Sequence, residues 1–213
     1  MFAPFAIPIR GCDTVSPQIF HRTNATAVSA SSWSQTMAVE HVVVVDELGQ
    51  VLGTQEKMAA HRSGVLHRAF SIFVFNSRGQ LMLQQRALHK YHSGGLWTNT
   101  CCSHPRLHET FKQGAVRRLQ EEMGLECELT EVFQFTYRAE LDQGMIEHEF
   151  DQVLFGITDQ LPKLNPEEAA SFRFISLDEL DQQMAQQPQQ FTAWFQIAYQ
   201  QVRQHWLAMT VAA

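Results

Sequence analysis

The sequence predicts an α/β protein, a single α/β/α layered domain around a mixed sheet. Three observations predict it. Short β-branched or apolar runs bounded by turn residues recur between residues 41 and 157. Residues 110–123 carry Phe111, Ala115, Val116, Leu119 and Met123 at the helical period, with Gly124 as a stop. Residues 191–206 repeat that period with Phe191, Trp194, Phe195, Ala198, Val202 and Trp206.

The 213 residues suit one domain plus a tail. A net charge of -6 argues against general nucleic-acid binding, which rests on cationic surface. No apolar run reaches membrane-spanning length. The four cysteines, Cys12, Cys101, Cys102 and Cys127, make no CxxC motif and no disulfide framework, so a reducing, cytoplasmic setting is expected.

Residues 1–38 are dominated by Ser, Thr, Ala and Pro, with Asp13 the one acidic residue. They read as a disordered extension, a leader remnant or a misplaced start, with Met37 an alternative first residue. The folded domain is expected over 39–210. Strands are expected at 41–46, ended by Glu47-Leu48-Gly49, and at 68–75, which alternates and stops at Asn76-Ser77-Arg78-Gly79. Another follows at 81–85, and Ser93-Gly94-Gly95 breaks the chain before the Trp97 strand. Gly114 weakens the 110–123 helix, whose Arg117/Glu121 and Arg118/Glu122 pairs are four residues apart. Two long strands, 132–138 and 147–157, join through the turn 141–144. A strand at 172–175 leads to Ser176, which caps a helix beginning at 177–180, and the Gln-rich stretch 182–190 reads as a solvated loop.

The chemistry centres on Trp97-Thr98-Asn99-Thr100-Cys101-Cys102-Ser103-His104-Pro105. In an extended segment residues i and i+2 share a face, so Cys102 and His104 look into one pocket and Cys101 looks away. Glu147 and Glu149 repeat that spacing. Taken alone, Cys102 reads as a buried structural cysteine. With His61 and His67, however, His104, Glu147 and Glu149 form a mixed nitrogen and oxygen set suited to zinc, manganese or iron. His41, His89, His92, His108, His148 and His205 have no patterned partner and read as surface or core residues. Lys57, Arg86, Lys90 and Arg118 could converge on a diphosphate, with Glu122, one turn from Arg118, holding a bridging Mg2+. Each cation by itself reads as a solvated surface charge.

These residues resemble type 1 isopentenyl-diphosphate isomerase. The likeness runs from about Glu40 to about Trp206 and is carried by Ala60-His61, by Leu66-His67-Arg68-Ala69-Phe70-Ser71, by the Trp97 to Pro105 stretch and by Glu147-His148-Glu149. It implies a Nudix fold and interconversion of isopentenyl and dimethylallyl diphosphate, supplying isoprenoid biosynthesis. It implies Cys102 and Glu149 as an acid/base pair on a path through a tertiary carbocation. Glu149, with Tyr137, protonates the terminal methylene and Cys102 takes the second proton, although either group could serve in reverse. It also implies one divalent Mn2+ or Zn2+ on His61, His67, His104, Glu147 and Glu149, and Mg2+ on Glu122. Lys57, Arg86, Lys90 and Arg118 become the diphosphate contacts, and Trp194 a pocket tryptophan whose indole face stabilises the cation. A small-molecule diphosphate is the expected partner, with no nucleic acid and no membrane, and the chain a monomer or weak homodimer. The helix tells against a Nudix hydrolase. Glu109, Arg117, Glu121, Glu122 and Gly124 fit the hydrolase box, but Ser103 replaces its glycine and Arg118 the first of its metal-binding glutamates. A non-catalytic metal-stabilised binding module is the alternative from another class.

Overall fold

The computed structural model describes residues 39–211, and the expectations for 1–38 lie outside them. β1 (His41–Val45) pairs antiparallel with β2 (Val51–Glu56), which runs straight into α1 (Lys57–Ser63). Next come β3 (His67–Phe75), β4 (Leu81–Arg86), β5 (Trp97–Thr98) and β6 (Cys101–Ser103). The helix α2 (Phe111–Met123) precedes the long antiparallel pair β7 (Leu129–Glu140) and β8 (Ile146–Ile157). β9 (Ala169–Ile175), α3 (Leu177–Gln186) and α4 (Ala193–Val211) complete the domain.

β3 is the hub. It pairs in parallel with β8 along its whole length, so β1, β6 and β4 share its other edge in turn. Its alternate residues feed two cores. Phe73 and Phe75 pack with α3 and α4 around Leu180, Trp194, Phe195 and Trp206. Phe70, Ile72 and Val74 pack with α2 through Ala115, Leu119 and Met123. The expected α/β/α layering is therefore present.

Local chemistry sets the helix ends. Thr110 accepts from the Gln113 backbone N–H while the Gln113 side chain accepts from the Thr110 N–H, closing a capping box at the start of α2. Gly124 ends the helix at φ 59°, a left-handed conformation that costs glycine nothing. Gly114 is explained by proximity: a Cβ there would lie 3.0 Å from both the Phe70 ring and the Pro105 Cα.

Several expectations are corrected. β3 does not alternate in exposure, because helices cover both faces and only Arg68 is half-buried. The Gln-rich stretch is no loop over its first half: α3 continues to Gln186, held by Leu177 and Leu180 in the core, and a short 3-10 turn, Pro188–Gln190, follows. Unbranched glutamines lose little rotamer freedom in a helix. Val116, counted on the apolar stripe of α2, is exposed. β2 and α1 have no periodic signal: β2 is largely exposed and contains Gly53, and α1 is only 7 residues long. No helix among the described residues is long and apolar enough to cross a membrane.

Candidate active site

Strand register brings the site together. His67 is paired with Glu149 across β3 and β8, Tyr137 with Glu149 across β7 and β8, and Ser71 with Cys102 across β3 and β6. Directly paired residues project on the same face, and so do i and i+2. One face thus collects His67 and Ser71 of β3, Glu147, Glu149 and Asp151 of β8, Tyr137 and Cys102. Cys101 is fully buried in the opposite core, as its position next to Cys102 predicts. The helix α1 adds Lys57 and, one turn on, His61.

His61, His67, His104, Glu147 and Glu149 each offer a ligand atom within 4.8 Å of all the others. The protonation pattern leaves their lone pairs converging. His61 Nδ1 donates to the Lys57 carbonyl at 2.7 Å, and His67 Nδ1 donates to the Val65 carbonyl at 2.8 Å. Their Nε2 atoms are therefore free in the neutral rings. His61 Nε2 lies 3.2 Å from Glu147 Oε2, and both atoms are buried without a hydrogen-bond partner. His67 Nε2 is 3.2 Å from His104 Nε2, which is 3.0 Å from Glu149 Oε1. Lone pairs facing a carboxylate across so short a gap repel unless a cation or a proton lies between them. The side chains fit a divalent cation, and the donor set suits a borderline first-row ion.

Burial sets the charges. It lowers the His67 imidazole to about 4, and it holds His104 well below its usual range with help from the charge of His67. On His61 burial is outweighed by the Glu147 carboxyl 3.2 Å away, which raises it. Burial opposes ionisation of Glu147 too, but the imidazoles of His61 and His92, each 3.2 Å away, hold its carboxyl well below the carboxylate range. Glu149 goes the other way: burial, then the charges of Glu147 and Asp151, push it well above. The Tyr137 hydroxyl donates to Glu149 Oε2 at 2.6 Å. Burial and the Glu149 charge raise both the Tyr137 phenol and the Cys102 thiol well above their ordinary values.

Cys102 Sγ lies within 4.8 Å of a carboxylate oxygen of both Glu149 and Asp151. Reacting atoms approach to about 3–3.5 Å, so a carbon skeleton seated between sulfur and carboxyl must part them. Ser71 donates its hydroxyl proton to Asp151 at 2.7 Å and lies 3.5 Å from Cys102 Sγ, leaving an oxygen lone pair to accept the thiol S–H.

The expected cations, Lys57, Arg86, Lys90 and Arg118, line the same cavity as Cys102, Glu122, Glu147, Glu149 and Trp194. Most are already partnered. Lys57 pairs with Glu40 at 2.9 Å, and Arg118 with Glu122 at 2.7 Å and Glu168 at 3.1 Å. Glu168 also pairs with Lys90. Arg86 stacks its guanidinium 5.1 Å from the Trp194 ring centre and donates to the His92 carbonyl. One face of Trp194 is therefore occupied by Arg86.

Five residues at the site had no assigned role in the sequence: Ser71, Tyr91, His92, Asp151 and Glu168. Asp151 was within reach, since it continues the i, i+2 run of Glu147 and Glu149. His92 and Glu168 stand on irregular backbone, where no periodicity points. His92 corrects the reading that it lacks a partner: it is buried, and its Nε2 lies 3.2 Å from Glu147 Oε1.

The NUDIX domain family matches residues 65–195. An isopentenyl-diphosphate delta-isomerase of Pectobacterium atrosepticum is 54% identical over 172 residues, covering 81% of this chain and 96% of that protein. An isopentenyl-diphosphate delta-isomerase 2 of Aromatoleum aromaticum is 52% identical over 155 residues, covering 73% and 82%. A solved structure from Deinococcus radiodurans aligns with a TM-score of 0.59 at 20% identity, over 70% of this chain and 90% of its own, and shares the fold. The chain belongs to the isopentenyl-diphosphate delta-isomerases built on the NUDIX domain.

Proposed function

We infer that the protein interconverts isopentenyl diphosphate and dimethylallyl diphosphate by proton addition and removal at opposite ends of an allylic unit. The observation that carries this reading is the register that aims Cys102 and the Tyr137–Glu149 pair into one cavity rimmed by four cationic side chains. An isolated alkene is a weak base, so its protonation needs a strong acid in a site closed to water. Glu149 carries its proton beside the Tyr137 hydroxyl and gives it to the terminal methylene. The acid/base pair shares one proton, so with it on Glu149 the sulfur of Cys102 is a thiolate, and the tertiary cation loses a proton from the carbon nearer the diphosphate to that sulfur. Burial makes that thiolate a strong base once formed. One proton leaves Glu149 and one reaches Cys102, so the two exchange roles in the reverse direction.

His61, His67, His104, Glu147 and Glu149 would hold one divalent ion, Mn2+ or Zn2+. Such an ion supplies positive charge that orders these ligands and tunes the acidity of Glu149. Glu122 would hold Mg2+ with the diphosphate. Lys57, Arg86, Lys90 and Arg118 bind and orient the diphosphate, a positioning effect worth roughly 7 kcal/mol or more. The pairing of Arg118 with both Glu121 and Glu122 supports isomerisation over hydrolysis, because a guanidinium sits where a hydrolase would gather metal-binding carboxylates. The free thiols of Cys101, Cys102 and Cys127 accord with a reducing, cytoplasmic setting.

Incubation with isopentenyl diphosphate and Mg2+ in deuterated water tests the reading. Deuterium in both the dimethylallyl product and recovered substrate, with no phosphate released, is the expected result. Phosphate release without isomerisation would overturn it in favour of hydrolysis. Absence of any turnover, with unfolding on chelation, would leave a metal-stabilised binding module.

A further inference from the structure

We propose that His92 is a positioning residue for the metal centre, which holds the outer oxygen of Glu147 so that its inner oxygen stays aimed at the cation. This deepens the metal reading given above. The two oxygens of Glu147 have different neighbours: Oε2 faces His61 Nε2 at 3.2 Å and Oε1 faces His92 Nε2 at 3.2 Å. Oε2 is buried without a hydrogen-bond partner beside the equally unpartnered His61 Nε2, a member of the convergent set, which makes it the oxygen turned toward the cation. His92 lies outside the five-residue set whose ligand atoms fall within 4.8 Å of one another, so it serves Glu147 rather than the ion.

The protonation of His92 follows from its partners. A carboxylate only accepts, so His92 Nε2 carries the proton and donates. Nδ1 then accepts from the Ser93 hydroxyl at 3.3 Å.

The ring is also fixed mechanically. It meets Tyr91 edge-on at 4.5 Å and Trp194 edge-on at 5.7 Å between ring centres. The next residue, Ser93, has φ 50°, an uncommon conformation for a side chain with a Cβ, and its N–H donates to Asp142 at 3.3 Å. The loop thus spends backbone strain at the residue that sets the His92 ring. Hydrogen bonds to a ligating carboxylate orient it, and their loss typically weakens metal binding about 10–100-fold.

The test measures retention of Mn2+ and of Zn2+ by the full chain against a chromophoric chelator. His92→Ala should weaken retention about 10–100-fold. His92→Gln, which can present an N–H to the same oxygen, should recover most of the loss. In a Glu147→Gln background, His92→Ala should add nothing, since the group it acts through is already altered. Should His92→Ala unfold, His92→Leu fills the space against Tyr91 and Trp194 without donating, and gives the same reading. Wild-type protein retaining neither ion would overturn the metal reading and this one with it. Wild-type retention with an indifferent His92→Ala or His92→Leu, or losses that multiply in the double variant, would overturn this one alone.

Discussion

Two adjacent thiols offer a direct test of strand register. Cys102→Ala should lower isomerisation by at least about 100-fold, the usual loss on removing an acid/base group. Cys101→Ala should keep most of the rate and lower the melting temperature, because its sulfur fills the α2 core. An inactive Cys101→Ala beside an active Cys102→Ala would mean that β6 is read one residue out. A second prediction concerns acid. In the metal-free protein the folded His67 ring takes its proton only at about 4, against 6.5 for the free side chain. Between those values the unfolded chain binds a proton that the folded one does not, so stability falls as pH drops through that window. The loss is on the order of 3 kcal/mol, and His67→Gln should flatten it in denaturant titrations across the same range. Equal slopes in the two proteins would discount His67 as the cause. At this scale the convergence of the His and Glu side chains was legible in the sequence, because the i, i+2 spacing of Cys102 with His104 and of Glu147 with Glu149 is a statement about strand faces. It does not show His92 or Glu168, whose approach to the site depends on loop paths fixed by tertiary packing.

At the scale of elements, the helix over 110–123 was legible from its period and its Gly124 stop, and its one anomaly becomes informative in three dimensions. Gly114 costs helix propensity of about 1 kcal/mol relative to alanine, so a propensity argument expects Gly114→Ala to stabilise. The added Cβ would press on the Phe70 ring and the Pro105 backbone at 3.0 Å and on Glu109 at 3.2 Å. We expect Gly114→Ala to lower the melting temperature. A higher one would mean that the helix can step away from the sheet at no cost. The strands at 68–75 and 147–157 were legible as strands, but their parallel pairing was not, since burial on both faces erases the alternation that would orient them. β2 and α1 escaped for the opposite reason: they are too short and too polar to leave a pattern, and α1 nonetheless carries both Lys57 and His61.

At the scale of the whole molecule, every residue assigned to the site falls between Glu40 and Trp194. A chain started at Met37 should therefore keep the isomerase rate of the full chain, and a large loss would give residues 1–36 a part in catalysis. The molecule as a whole carries a charge of -6, the wrong sign for attracting a diphosphate. The cavity compensates only in part, because its cationic side chains share the lining with acidic ones, and Glu122 and Glu168 already hold Arg118 and Lys90. Its mouth is electrically quiet until something breaks the pairs made by Glu168 and Glu122. On the proposed diphosphate reading, substrate entry would be an ion exchange, in which the diphosphate displaces these carboxylates from their cations and leaves them open to the magnesium that travels with it. Capture should depend on the magnesium complex far more than on long-range attraction. A roughly tenfold rise in potassium chloride, which shortens the Debye length about threefold, should barely change kcat/KM, whereas a steep decline would show that the pairs part before the substrate arrives.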